Sequence, residues 1–555
     1  VITRRLPAPL LDQFLCRARE APDAIALSTM DGDAWSWRAW AQVAHDVAGA
    51  LLAAGVGAGD RVAILAGNAP VWPLADLGIL LAGGVSVGTY PSAAPAQVQA
   101  LLADAGAVLA VVGDDEQAER LAGVRDTLPA LRTVVAGPGV TPAHGMVGWS
   151  EWLAGGRATA SDRLEGRALG VDPGDDAVLI YTSGSTGMPR GARYTHAGLW
   201  ASATAIRDVL GLVATDRALS FLPYCHAAER IFGLYTRIAA GMSARLVPDL
   251  SALSVAAQQY RPTLFGGVPR LFEKAAEALT GAPAADRRAM LHAHFGPAVR
   301  LATSGGARLD DAVHATLATH GLPVLQAYGL TEHLCVAMQR PGDAAPDHVG
   351  PPMPGTVLRI AEDGEILLRR GALTFAGYHG LPDETRAAFS ADGDWLRTGD
   401  LGELTPTGAL RVTGRIKDLI ALAGGKKVAP QRIEALLARD PLVAQAVVFG
   451  EGARYLVALL AIDPEALRDW AMRVGVPPDA AAGLDDPRLL AHIATTVEAA
   501  NRELSRPEQV KRWSLLSEVA SVADGTLTPT LKPRRAALAA RHATRLGALY
   551  AKGDE

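Results

Sequence analysis

Residues 181–191 read Tyr181-Thr182-Ser183-Gly184-Ser185-Thr186-Gly187-Met188-Pro189-Arg190-Gly191. This segment has the composition of an anion cradle. Glycines let backbone N–H groups come close to phosphate oxygens, and the hydroxyls at 182, 183, 185 and 186 add donors. Arg190 supplies a fixed positive charge. An apolar run, Ala177 to Tyr181, precedes the loop, and a helix is expected from near Ala197. A loop leaving a strand for a helix is a common phosphate site. The GxxxxGK[ST] spacing of the common nucleotide P-loop is absent. Taken alone, the segment also reads as a surface turn rich in Ser, Thr and Gly.

Other residues allow competing chemistry. Gly84-Val85-Ser86-Val87-Gly88 fits the GxSxG pattern of serine hydrolases, but no helix is expected after it until about Pro95, whereas a nucleophile elbow needs a strand-to-helix turn. His292 and His294 have no third metal ligand nearby and read as part of an exposed helix. His226, beside apolar residues, reads by itself as a packed core histidine. Asp400 after Gly399 reads as a turn residue. Lys532-Pro533-Arg534-Arg535 reads as a solvated basic patch.

The elements around these residues alternate. Short strands are expected at Arg61–Leu65, 107–112, 177–181, 263–265, 299–302 and 324–327. Amphipathic helices lie between them, at Val71–Leu81 and 97–103 among others. Such alternation implies parallel sheets covered by helices. Near residue 400 the pattern changes to two hairpin strands, 402–404 and 409–413, then a smaller unit with strands Val443–Phe449 and Leu456–Ile462. The expected fold is therefore α/β, with a large N-terminal domain of helix-covered, mostly parallel sheets over 1–414. A small α+β domain follows over 415–555. Residues 477–483 are expected as a surface loop.

Composition narrows the class. At 555 residues, 49% apolar and 20% charged, the chain suits a multidomain globular enzyme and not a disordered protein. A formal charge of −5 argues against a broad nucleic-acid footprint. Cys16, Cys225 and Cys335 form neither a disulfide framework nor a CxxC metal site. Val1-Ile2-Thr3-Arg4-Arg5 leads into prolines without the apolar segment of a secretory signal. The apolar run Leu74 to Val87 is broken by Asp76 and glycines and is shorter than the about 20 residues that span a bilayer. A cytoplasmic enzyme without a transmembrane segment is expected, with peripheral membrane contact left open.

The 181–191 loop closely resembles the phosphate-binding signature of the adenylate-forming superfamily, and further segments resemble its other signatures in the family's order. Phe221 to Arg230, containing His226, and Arg261 to Arg270 resemble the acyl-side segments of its long-chain acyl-CoA synthetase branch. Ser304-Gly305-Gly306-Ala307 and Tyr328-Gly329-Leu330-Thr331-Glu332 resemble the adenine and metal segments. Thr398-Gly399-Asp400 and Gly414-Arg415-Ile416-Lys417-Asp418 resemble the ribose and hinge segments. Leu527 to Lys532 resembles the C-terminal lysine segment.

The resemblance implies an acid–thiol ligase that uses ATP, Mg²⁺ and coenzyme A. It implies that Thr182, Ser183, Gly184, Ser185, Thr186, Gly187 and Arg190 hold the β- and γ-phosphates. Arg190 stands where most relatives have lysine. It further implies that Gly305, Gly306, Ala307, Tyr328 and Gly329 line the adenine, with Thr331 on the α-phosphate. Glu332, with Thr182, would hold Mg²⁺, and Asp400 and Arg415 would bind the ribose. His226 would lie at the acyl carboxylate, Lys532 would stabilise the adenylation step, and Lys417 would be the hinge of a mobile C-terminal domain. Gly424, Gly425 and Lys426 would then reach the site with the thiol. Coenzyme A and a carrier-protein phosphopantetheine present the same thiol, so both acceptors stay open at this point. A fatty acid is the expected substrate. His333-Leu334-Cys335 departs from the small hydroxyl residues that often follow the glutamate, which keeps a medium-chain or aromatic acid open as well.

Overall fold

The computed structural model describes residue 2 and residues 4–551 apart from 143–144, 160, 183–188, 281, 477–483, 522–523 and 528–532; the side chains of 161, 182 and 280 are likewise not described. The chain folds into two compact units. The first takes Val1–Arg359, Leu367–Thr398 and Leu404–Arg411, and the second takes Ile360–Ile366, Gly399–Glu403 and Val412–Glu555.

Two eight-stranded sheets dominate the first unit. One runs in the order Gly377–Tyr378, Arg190–Thr195, Asp176–Thr182, Val85–Gly88, Arg61–Leu65, Leu109–Val112, Thr133–Ala136 and Val147–Gly148. It is parallel from Asp176–Thr182 onward and antiparallel at its first two junctions. The other runs His333–Met338, Val324–Leu330, Leu301–Ser304, Leu264–Gly267, Arg217–Ser220, Ser243–Leu246, Ile25–Ser28 and Ala34–Ser36. Only its two outermost pairs are antiparallel. Strands such as Leu109-Ala110-Val111-Val112 are buried at every residue, as expected for a sheet covered on both faces.

The expected strand at Arg61–Leu65 and helix at Val71–Leu81 are present with those limits. The helix expected near Ala197 is present, and the chain does not pass into it straight from the 181–191 segment. It first returns along the antiparallel strand Arg190–Thr195, and the helix His196–Leu210 starts only then. Thr195 Oγ1 caps that helix by accepting the Gly198 N–H at 3.1 Å, and Gly211, at φ 58°, ends it. The expected hairpin strand at 402–404 is the end of a longer strand, Trp395–Leu404.

The second unit contains a three-stranded sheet. Leu456–Ile462 lies between antiparallel Val443–Phe449 and parallel Val510–Leu516. The side chains of Val448, Leu456, Ala458 and Leu460 join Ile433, Leu437, Leu489 and Ile493 of neighbouring helices in one core. Val447, Phe449, Val457 and Leu459 point the other way, onto Leu538 and Leu546. This period-2 division explains why Leu456-Val457-Ala458-Leu459-Leu460-Ala461-Ile462 is apolar throughout.

Two buried imidazoles make the first unit sensitive to acid. His333 sits between Thr356 Oγ1 at 2.9 Å and Thr374 Oγ1 at 3.3 Å. Burial pushes His333 and His196 down to about 4. Unfolded, both return to about 6.5, so the unfolded chain binds the extra protons between these values. Their contribution to stability is complete above the unfolded value and is lost as pH falls from it toward the folded one. The thermal midpoint should therefore drop as pH falls from about 6.5 to about 4, and His333→Gln should flatten that drop. An unchanged slope in the variant would place the acid sensitivity elsewhere.

Candidate active site

Thr182 and Arg190, at the two ends of the loop expected to hold phosphates, are an antiparallel register pair. Ser183, Gly184, Ser185, Thr186 and Gly187 lie outside the described residues, as does the side chain of Thr182. The strands come very close just beyond the loop, where a Cβ on Gly191 would lie 2.9 Å from Tyr181 Cζ. Arg190 is half-buried, with its guanidinium carbon 5.7 Å from the centre of the Tyr378 ring.

Tyr328 and Gly329 lie in the strand Val324–Leu330, which reverses into His333–Met338 through Thr331 and Glu332. A Cβ on Gly329 would sit 2.2 Å from Leu334 O, so the reversal is tight enough to require glycine there. The turn is held from several sides. Tyr194 Oη donates to Thr331 O at 2.6 Å, and Phe375 N–H donates to Glu332 O at 3.0 Å. Tyr378 Oη donates to Glu332 Oε1 at 2.5 Å. Burial first, and then the charge of Glu332, push both phenols well above their usual range, so both stay protonated as donors. Tyr194 and Tyr378 were not among the residues expected from the sequence.

The adenine segments adjoin this turn. Gly305 follows the strand Leu301–Ser304, donates its N–H to Gly267 O at 3.2 Å, and has its Cα side against Ala327. Gly306 follows at φ +83°, with Ala307 next. Parallel pairing of Ser304 with Gln326 therefore brings Gly305–Ala307 beside the strand end that carries Tyr328.

On the acyl-side segment His226 is half-buried, which differs from a packed core histidine. Its Nδ1 accepts the Ala228 N–H at 3.2 Å, so the neutral ring carries its proton on Nε2. Burial pushes the neighbouring Cys225 thiol up to about 12, so it is no thiolate nucleophile despite adjoining His226.

In the second unit, Arg415 Nε meets Asp400 Oδ1 at 2.8 Å, with the carboxylate buried and the guanidinium half-exposed. The two residues expected at the ribose are thus neighbours. Gly399 N–H donates to Glu365 Oε1 at 3.0 Å and fixes the turn before Asp400. Lys417 lies on the short helical turn Ile416–Asp418. Gly424, Gly425 and Lys426 form an exposed turn closed by the Leu422 N–H to Lys426 O bond of 2.9 Å, with Gly425 at φ +76°. Lys532 lies outside the described residues.

The serine-hydrolase reading of Ser86 is overturned. Ser86 is fully buried within a strand, and its hydroxyl donates to Asp76 Oδ1 at 2.6 Å. Among the described residues no histidine hydrogen-bonds to it, and it is closed off from solvent. His292 and His294 lie on the helix Arg287–Phe295. Among the described residues no three His, Cys, Asp or Glu side chains come together as a metal cage. A single half-exposed carboxylate at Glu332 suits a hard cation that takes most of its oxygen ligands from substrate phosphates and water.

Residues 14–379 match the AMP-binding enzyme family and residues 417–554 match the AMP-binding enzyme C-terminal domain. The long-chain-fatty-acid–CoA ligase FadD15 of Mycobacterium tuberculosis is 33% identical over 96% of this chain and 96% of its own length. The adenylation domain of a carboxylate reductase from Mycobacterium chelonae superposes with a TM-score of 0.81 at 24% identity, covering 98% of this chain and 91% of that one. ATP-bound MatB from Rhodopseudomonas palustris gives 0.78 at 22% identity, covering 97% and 99%. At such identities the two structures show the shared fold, and the sequence matches show the family. The chain therefore belongs to the AMP-binding enzyme family, in its acyl-CoA synthetase branch, and uses ATP to convert a carboxylic acid to its acyl-adenylate before passing the acyl group to coenzyme A.

Proposed function

We propose that the acid is a long-chain fatty acid and that the residues described above divide the two half-reactions between them. The observation that carries the reading of the site is the convergence of Arg190, Tyr378 and Glu332 beside the closed end of the phosphate hairpin. A fixed cation and a carboxylate ligand in one cluster are what a triphosphate and its counter-ion require.

In the first half-reaction a carboxylate oxygen attacks the α-phosphorus in line, forming the acyl–phosphate bond as the bond to pyrophosphate breaks. Two anions must meet, so stabilising their charge dominates the barrier. Arg190 and the 182–187 loop take the β- and γ-phosphates, and Thr331 takes an α-phosphate oxygen. Tyr328 stacks on adenine, with Gly305, Gly306 and Ala307 beside it. Asp400 accepts from the ribose hydroxyls, and Arg415 orients Asp400. Glu332 and Thr182 would hold Mg²⁺, which when bound neutralises phosphate charge. His226 lies by the acyl carboxylate, and Lys532 stabilises the charge that builds up as the acid attacks.

In the second half-reaction the C-terminal domain, 415–555, turns about Lys417. The turn Gly424-Gly425-Lys426 then accompanies the thiol, which attacks the acyl carbon and releases AMP. The resemblance to ligases named for long-chain fatty acids supports the acid, and the three unpaired cysteines support a reducing, cytoplasmic setting. Among the described residues no helix is long and apolar enough to cross a membrane.

The test is a CoA-dependent screen of acids from acetate to stearate, with aryl acids included. kcat/KM should rise with chain length, since each buried CH₂ contributes about 0.8 kcal/mol of binding. A preference for acetate or for an aryl acid would overturn the long-chain assignment. Faster transfer to a phosphopantetheine-bearing carrier protein than to coenzyme A would identify the carrier as the preferred acceptor.

A further inference from the structure

The geometry assigns Tyr378 as the positioning residue that ties the Glu332 carboxylate to the phosphate-side cation Arg190. The inference rests on the reading of Glu332 as the Mg²⁺ ligand and adds a residue that controls it.

Tyr378 reaches this place through two short pairings. The strand Gly377–Tyr378 runs antiparallel to Arg190–Thr195, with Tyr378 opposite Ala192. Arg190 is two residues from Ala192 and so projects on the same face of the sheet as Ala192, next to the Tyr378 ring. The guanidinium carbon lies 5.7 Å from the ring centre, and the phenol at the ring's far end donates to Glu332 Oε1 at 2.5 Å. One side chain therefore contacts both charged groups. The ring itself is fixed, since Tyr378 is 8% exposed and packs edge-on against Phe375, with centroids 4.9 Å apart. The Tyr378 N–H is also bonded, to Thr385 Oγ1 at 2.9 Å.

Two consequences follow. Glu332 Oε1 is committed to the phenol, so the carboxylate presents Oε2 in a fixed direction, as partners of metal ligands generally arrange. The planar guanidinium of Arg190 can lie against an aromatic face in a way that the ammonium of lysine cannot match. Tyr378 thus gives a physical reason for arginine at a position where relatives carry lysine.

The two functions of the ring separate under substitution. Tyr378→Phe keeps the aromatic face against Arg190 and removes the polar contacts of the phenol, its bond to Glu332 and its contact with the Arg190 guanidinium. Tyr378→Leu removes the face as well. The readout is calorimetric binding of a non-cleavable α,β-methylene analogue of ATP, titrated with and without Mg²⁺, alongside the pyrophosphate-release rate. For Tyr378→Phe the Mg²⁺ concentration giving half-maximal enhancement of analogue binding should rise about tenfold, the lower range for loss of a ligand's hydrogen-bond partner. Its metal-free analogue affinity should fall less than that of Tyr378→Leu, because the ring face against Arg190 is kept. Tyr378→Leu should show the same metal shift and also bind the analogue about threefold more weakly without metal, from loss of the cation–aromatic contact. A Tyr378→Phe metal titration that overlays wild type, while Glu332→Ala shifts it, overturns the role of Tyr378 and leaves Glu332 as ligand. A wild-type titration in Glu332→Ala overturns the metal reading itself and the Tyr378 inference with it.

Discussion

Arg230→Met should destabilise the first unit by about 3–5 kcal/mol, because it strands a carboxylate that the fold has taken out of water. Asp76 and Arg230 are both fully buried and form a direct ion pair. Asp76 also accepts from Ser86 Oγ at 2.6 Å and from Tyr235 Oη at 2.7 Å. Arg230 Nε donates to Tyr235 Oη at 3.1 Å, and its guanidinium lies 4.9 Å from the Trp72 ring centre. Burial by itself would push the guanidinium down, but Asp76 and Tyr235 outweigh it and hold it above its usual value. Removing the cation leaves these contacts around an uncompensated charge. A loss of this size is a large part of the about 5–15 kcal/mol that holds a typical protein folded. The double variant Asp76→Asn/Arg230→Met should recover most of it, since a neutral amide can accept from Ser86 through its oxygen and donate its NH2 to the Tyr235 oxygen that Arg230 no longer occupies. Thermal unfolding of the four proteins in this cycle measures the coupling. Wild-type stability in Arg230→Met alone would mean that water or a proton, not Arg230, compensates the Asp76 charge.

The same network explains the shape of the acyl-side segment. Glu229 and Arg230 begin a wide π-type helical stretch, Glu229–Tyr235, three residues after His226. Glu229 turns to Arg237 at 2.8 Å and Ser220 at 2.6 Å, while Arg230 turns the opposite way to Asp76. Gly233 permits this, since a Cβ there would lie 2.2 Å from Glu229 Oε1. Wide turns of this kind often occur at functional sites. Here two buried ion pairs on adjacent residues fix the segment that presents His226.

What could be read from the sequence and what could not follow a physical division. Leu456–Ile462 is apolar at every position because both faces of its sheet are covered, and such a run can be read directly. Arg190 stands out because its loop has an unusual composition, whereas Glu332 and Asp400 are picked out only by the resemblance of their segments, Asp400 by itself reading as a turn residue. Tyr378 is marked by neither, for its strand is two residues long and its partner Glu332 is 46 positions away. Tyr194 hides similarly in Arg190-Gly191-Ala192-Arg193-Tyr194-Thr195, whose charged residues disguise an alternating strand. Ser86 carries a misleading pattern because glycine-serine-glycine spacing describes a turn, whereas here it sits within a strand. Its partner Asp76 interrupts an apolar helix, and only the arrival of Arg230, 154 residues later, explains that interruption. Local patterns record which elements form, while the cation that makes a buried carboxylate tolerable is chosen by the topology.

Lys532→Ala should cut adenylation by roughly a thousandfold, about 3–4 kcal/mol, the scale on which one preorganised donor stabilises a developing charge. Negative charge concentrates between the attacking carboxylate and the α-phosphate as they approach, and an ammonium placed there acts on the transition state more than on bound ATP. The loss should therefore fall on kcat and leave the KM for ATP nearly unchanged. Thioester formation from supplied acyl-adenylate and coenzyme A should continue at close to the wild-type rate, because in the proposed mechanism the C-terminal domain has by then turned about Lys417. Lys532→Arg separates charge from geometry: a planar fork cannot reproduce a compact ammonium, so it should recover only part of the rate. The sequence after Lys532 gives a natural control. Arg535 Nη1 pairs with Glu434 Oε1 at 2.6 Å and so has a structural partner within the second unit. Arg535→Lys should leave kcat for adenylation within a few-fold of wild type. Both half-reactions measured on each purified variant decide the matter. Wild-type adenylation by Lys532→Ala would reduce the segment to a basic patch, and equal loss of both steps in a folded variant would exclude a role confined to the first.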